Sequence, residues 1–186
     1  MILRLFRRTP QNDSIASLYG AIVAQARQPA FYRVYSVPDT VNGRFEMIVL
    51  HAALLMHRLD AEASIRPLGQ PVFDLFCSDM DGNLREMGVG DLAVPHQMRS
   101  MGEAFYGRKR AYEAALAEPT EAPLAAALSR NVYGTGDAQH PGAPRLATYA
   151  RSAAGRLGTA SAEALQHGKV SFPDPLEFAD AGTGAT

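Results

Sequence analysis

Apolar positions recur along this chain at three- and four-residue spacing, and runs of strict alternation are absent, so the pattern predicts helices rather than strands. Ile15, Leu18, Tyr19, Ile22, Val23 and Ala26 make one face of a first helix. Asp13 or Ser14 would cap its free N–H groups, and Gln28-Pro29 would end it. A short helical piece over 30–35 follows, then a Val37-Pro38-Asp39-Thr40 turn that leads into a second cap. The spacing next predicts a helix over 41–60. Its stripe of Phe45, Ile48, Val49, Ala52, Leu55, Met56 and Leu59 is widened by Leu50, Ala53 and Leu54, which suits the centre of a bundle.

Pro67, Gly69 and Pro71 mark a loop over 64–71. A helix over 72–86 carries Gly82, which costs about 1 kcal/mol relative to alanine. Residues 87–94 form a turn, and Pro95 suits the first turn of a helix over 96–117 with Met98, Met101, Phe105, Tyr112 and Leu116 on one side. Glu118 to Pro123 breaks the chain, with Thr120 as the next cap, before a short helix over 124–133. A Gly- and Pro-rich loop over 134–144 precedes a last helix over 145–166. These elements amount to an all-α protein: a single helical-bundle domain over 13–167 with about six or seven helices and flexible termini. Residues 1–12 read as a flexible basic segment and 168–186 as an acidic, disordered tail.

With 186 residues, 47% of them hydrophobic and 20% charged, the chain suits one domain with a real core. The net charge of -1 provides no global field for nucleic acid or an anionic membrane. The single cysteine, Cys77, excludes an intrachain disulfide framework and a multi-cysteine zinc site. No apolar run reaches the roughly 20 residues that a bilayer span needs. The N-terminus, from Met1 to Pro10, has too small an apolar part for a signal peptide and is too short for a transit peptide, so a cytoplasmic, bacterial protein, or else an already processed form, is expected. Ile2, Leu3, Leu5 and Phe6 with Arg4, Arg7 and Arg8 would support at most weak peripheral contact with the inner membrane.

Candidate chemistry fails on context. Gly88-Val-Gly-Asp-Leu-Ala93 fits a dinucleotide fingerprint, but a helix rather than a strand precedes it. Gly88, Gly90, Asp91 and Pro95 are better taken as a structural turn, whose glycines permit positive φ or close packing. In Asp79-Met-Asp-Gly-Asn83, glycine and the twelfth-position ligand miss the EF-hand pattern. His51 and His57 lie about 240° apart around one helix, so one face cannot offer both to a metal. His57 and Asp60 are placed to pair at i,i+3. Cys77, in an apolar stretch, reads as a small hydrophobe. No catalytic, cofactor-binding or metal site is expected. Phe105, Tyr106, Arg108, Lys109 and Arg110 form the best candidate for a client or partner docking patch, against the plainer alternative of a solvated helix face.

One set of residues is more specific than any of these motifs. Tyr35, Val37-Pro38-Asp39-Thr40, Arg44-Phe45-Glu46 and Leu50-His51 come first. Phe73-Asp74, Asp79-Met80 and the block from Asn83 to Asp91 follow. Pro95, Met98, Met101, Phe105, Tyr106-Gly107-Arg108 and Tyr112 complete the set, with a weaker echo over 124–133. Over about two-thirds of its length the chain resembles the ubiquinol–cytochrome c chaperone family. The resemblance implies a non-enzymatic assembly factor for respiratory complex III. Its partner would be nascent cytochrome b or another complex III component, and in mitochondrial members also the ribosome and a small helper protein. From the residues alone, two alternatives stay open: a haem-handling or small-molecule-binding helical protein, and a ribosome or RNA adaptor using Arg108–Arg110. No specific nucleic acid is implied.

Overall fold

Helix α3 (Val41–Asp60) is the axis of the molecule, with thirteen of its 20 residues buried. A computed structural model describes residues 10–136 and 139–179. In order they form α1 (Pro10–Ala26), α2 (Pro29–Arg33), α3, a 3₁₀ turn (Arg66–Leu68), α4 (Gly69–Glu86), α5 (Val94–Ala117), α6 (Ala122–Asn131), α7 (Ala143–Gly158), α8 (Ala162–Gln166) and a last 3₁₀ turn (Pro175–Phe178). No strand occurs among the described residues. The fold is all-α, as the periodicity predicts: six helices of ten residues or more and two of a single turn. Helices α1, α5 and α7 pack around α3, with α4 against α1 and α5 and with α6 against α5 and α7.

The start of α3 is fixed by two local devices. The Thr40 hydroxyl accepts the Gly43 N–H at 3.1 Å, a cap that contributes about 1 kcal/mol. Pro38 folds over the first turn so closely that a Cβ on Gly43 would lie 2.0 Å from the Pro38 carbonyl oxygen. Only glycine fits there.

Beyond shifts of one or two residues, the structure departs from the sequence expectation in five places. Helix α1 begins at Pro10 rather than at Asp13, because proline is tolerated where N–H groups have no intrahelical partner. Helix α4 begins at Gly69, continuing directly from the 3₁₀ turn. Thr120 does not cap α6, which starts two residues later with Glu121 at the cap position. The last predicted helix is two: α7 ends at Gly158, and the Ser161 hydroxyl accepts the Ala164 N–H at 3.2 Å to start α8.

The fifth difference is larger. Residues 168–179 are packed, not disordered. Phe172 stands edge-on to the His51 ring at 5.2 Å, and the Tyr35 hydroxyl donates to the Pro175 carbonyl at 2.5 Å. The acidic residues of this segment face out, while Val170, Phe172 and Phe178 pack on the core. Residues 1–9 of the expected basic end and 180–186 of the expected acidic tail lie outside the described residues.

The tail completes a buried polar chain. Gln25 Nε2 donates to the Pro173 carbonyl at 2.9 Å and to the Tyr149 hydroxyl at 3.0 Å. His51 Nδ1 lies 2.7 Å from the Met47 carbonyl, which can only accept, so Nδ1 carries the proton. Nε2 therefore accepts from the Tyr149 hydroxyl at 2.8 Å. Complete burial pushes His51 down to about 4, against the smaller opposing pull of the Met47 carbonyl.

Candidate functional site

A groove runs along the outer seam of α4 and α5. Met98, Gly102, Tyr106 and Arg110 recur every four residues on α5, so they stack along one helix face. Phe73 and Cys77, also four apart, face them from α4. The groove is shallow and largely open, with about 650 Å³ of space along it and Arg99 and Glu103 on its rim. Gly102 leaves it open: a Cβ there would meet no atom within 4 Å. The floor is aromatic. Phe73 lies 5.0 Å from Phe105 and 5.1 Å from Tyr106, and Phe76 lies 5.4 Å from Phe105. Tyr106, still exposed, also walls a smaller cavity of about 240 Å³ beside Met56 and Gln70.

The five expected docking residues take different places. Phe105 is fully buried and supports the floor rather than the surface. Tyr106 and Arg110 line the groove. Arg108 turns inward to α3, where Nε and Nη2 each donate at 2.6 Å to the Glu46 carboxylate. Burial pushes the Glu46 carboxyl up, and the hydrogen bonds and charge of Arg108 pull it back. Lys109 reaches Asp60 at 2.9 Å and Glu113 at 2.6 Å. Burial alone would lower its pKa, but Glu113 and Asp60 outweigh that and hold it raised. Consecutive helical residues point about 100° apart, so the three cations do not form the compact patch their adjacency suggests.

The α4–α5 turn is built as a helix stop. Gly88, at φ 82°, follows the last turn of α4. Its N–H donates to the Arg85 carbonyl and the Val89 N–H to the Leu84 carbonyl, both at 3.0 Å. That is the paired bonding of a Schellman cap. Gly90 has neither positive φ nor a close neighbour; its carbonyl accepts from Ala93 and Val94 at the start of α5. Arg85 joins Asp81 on α4 to Asp91 in the turn. Pro95 sits in the first turn of α5.

Two further expectations change. His57 faces Glu113 at 3.5 Å, while Asp60 is taken by Lys109. Cys77 is half-buried in the groove wall, and burial, reinforced by Asp74, pushes its thiol up, so it is held as the unreactive thiol. No cluster of three or more His, Cys, Asp or Glu that could hold a metal ion occurs among the described residues. No described helix is long and apolar enough to cross a membrane. What the seam offers is apolar surface: an open groove with soft sulfur and aromatic walls and a rim of mixed charge.

Sequence reasoning misses Glu46 as the partner of Arg108, and it misses Phe73 and Gly102 as parts of the groove. The four-residue recurrence of Met98, Gly102, Tyr106 and Arg110 is the signal that could have found the α5 wall.

Residues 33–172 match the family model described as ubiquinol-cytochrome C chaperone. The chain is 27% identical over 116 residues to ubiquinol-cytochrome-c reductase complex assembly factor 1 of Xenopus laevis. That match covers 62% of this chain and 58% of the frog protein. The fold superposes on the crystal structure of the Cbp3 homologue from Brucella abortus with a TM-score of 0.83 and 39% identity, covering 95% of this chain and 99% of that one. With both walls of the groove inside the matched residues, this chain belongs to the ubiquinol–cytochrome c chaperone family.

Proposed function

We propose that this protein is a non-enzymatic assembly chaperone that binds newly made cytochrome b and supports biogenesis of ubiquinol–cytochrome c reductase. The α4–α5 groove holds an apolar segment of that client. The observation that carries this is the family match over 33–172, which contains the whole of the seam. The client is an integral membrane protein, so its segments expose apolar surface until they are inserted and paired. From Met98 to Arg110 the groove face extends about 18 Å, at 1.5 Å per residue, or just over half of a bilayer core. Met98 and Cys77 give it adaptable walls, which suits a holder of several related segments better than a rigid pocket would.

The protein works on the cytoplasmic side of the membrane that receives the client. A ribosome adaptor built on Arg108–Arg110 has less support, because Glu46, Asp60 and Glu113 already neutralise two of the three cations. A haem-handling protein would need a free ligand in the apolar core, and both nitrogens of His51 are engaged.

Deletion of the gene, with complementation by wild type or by Gly102→Leu, tests the proposal. Wild type should restore the b-type haem absorbance of assembled complex III. The introduced leucine side chain fills the groove where a Cβ on Gly102 meets no atom within 4 Å, so that variant should fold and fail to restore it. Normal complex III in the deletion strain rejects the function. Full rescue by Gly102→Leu rejects the groove as the client site.

A further inference from the structure

A second surface, sharing no lining residue with the α4–α5 groove, joins a cationic cleft to an apolar slot. The cleft, about 410 Å³, lies where α1 ends and α2 begins. Arg27, Arg33 and Arg44 line it with Tyr32 and a single carboxylate, Asp39. Asp39 is committed to Arg44 at 2.7 Å. Arg27 and Arg33 make no ion pair among the described residues, and the Tyr32 hydroxyl is turned to the Ala26 carbonyl at 2.8 Å. The cleft therefore carries a local charge of about +2 on a chain that is slightly acidic overall.

Arg27 and Arg44 also form the mouth of the apolar slot, about 260 Å³, which Phe45, Ile48, Met80, Leu84, Met87 and Met101 floor and flank. Two of the large apolar side chains most exposed in the described chain, Val41 at 67% and Met87 at 61%, stand on its rim.

From this juxtaposition we propose that the surface docks on an anionic phospholipid membrane, with a phosphate headgroup in the Arg27–Arg33–Arg44 cleft and an acyl chain entering the slot beside Met80. Guanidinium forks match phosphate oxygens. Charge and apolar contact lie in the order that a lipid presents them: phosphate outside, hydrocarbon beneath. Val41 and Met87 enter the interface beside the bound lipid. An acidic peptide is a poorer match, because the slot offers one neutral polar side chain, Asn83, whose amide already donates to the Asp79 carbonyl at 2.8 Å. As the two surfaces share no lining residue, membrane and client can be held together, and the membrane site does not depend on the client proposal.

Flotation of the full chain with vesicles tests this, using phosphatidylcholine alone and phosphatidylcholine with about a third phosphatidylglycerol. The protein should float with the anionic vesicles only, and less as salt rises. Arg27→Gln with Arg33→Gln should weaken binding roughly twenty- to thirtyfold, at about fivefold per basic residue near an anionic surface. Val41→Gln with Met87→Gln, at exposed positions, should weaken it while leaving thermal melting unchanged. Arg4, Arg7 and Arg8 remain in every variant, so contact made by the N-terminal segment would survive these substitutions. Equal flotation with neutral vesicles, or undiminished flotation of both double variants, overturns the proposal. So does binding of soluble glycerol phosphate without flotation, which would assign the cleft to a free phosphate ester. Loss of captured cytochrome b with flotation intact in the arginine variant would assign the surface to the client and also overturn it.

Discussion

Arg108 of α5 donates two hydrogen bonds, each 2.6 Å, to Glu46 of α3, whose side chain is 1% exposed. The pair pins the inner face of α5 and so sets where Tyr106 and Arg110, on its outer face, stand in the groove. A buried carboxylate stripped of its partner is costly. Arg108→Ala should therefore lower unfolding stability by about 3 kcal/mol. Glu46→Leu with Arg108→Leu, which leaves no orphaned charge, should cost less than Arg108→Ala alone. Urea denaturation of the three proteins checks this order.

His51 predicts an acid-labile fold. Its pKa is lowered by burial from 6.5 to about 4. Above about pH 6.5 the ring is neutral in both states, and its contribution is fully present. As pH falls through the window to about 4, the unfolded chain takes up a proton that the folded chain refuses, so stability is lost. The slope is at most about 1.4 kcal/mol per pH unit, or about 3 kcal/mol across the window. His51→Asn should be less stable at neutral pH and should lose this one-proton component of the slope. Melting curves between pH 4 and 7.5 read both effects.

Glycine substitutions should separate by geometry. Gly43→Ala forces a Cβ to within 2.0 Å of the Pro38 carbonyl and should cost about 2 kcal/mol or more. Gly88→Ala places a side chain at φ 82° and should cost about 1 kcal/mol. Gly82→Ala, inside α4 with nothing within 4 Å, should stabilise by about 0.5–1 kcal/mol. Thermal unfolding of the three variants gives the order directly.

The packed segment 168–179 should behave as part of the domain. Truncation after Gln166 removes Phe172 from the face of His51 and the Pro173 and Pro175 carbonyls from Gln25 and Tyr35. The truncated protein should melt several degrees lower, with faster amide exchange in α1 and α7.

This segment also shows where sequence legibility ends. Helix α3 is legible end to end, since its wide apolar stripe and the Thr40 cap are local signals. Phe172 and Phe178 are not, because isolated aromatics among acidic and proline residues carry no period; only their packing on the core explains them. The α7–α8 break hides for the opposite reason: Ser161 caps inside a stretch of good helix formers. At the site, Tyr106 and Arg110 are legible as surface candidates, while Phe105 and Arg108 turn inward against the expectation. Adjacency in sequence suggests that Arg108, Lys109 and Arg110 act together, and it gives no sign that Glu46 and Asp60 wait on α3 to receive two of them.

The most direct test of the central claim is site-specific photocrosslinking in cells that make cytochrome b. A photoreactive residue at position 103, on the exposed rim of the groove, should yield an adduct with cytochrome b. The same group at position 130, on exposed Arg130 of α6, should not. An adduct from position 130 and none from position 103, in a protein that still restores complex III, would contradict the account.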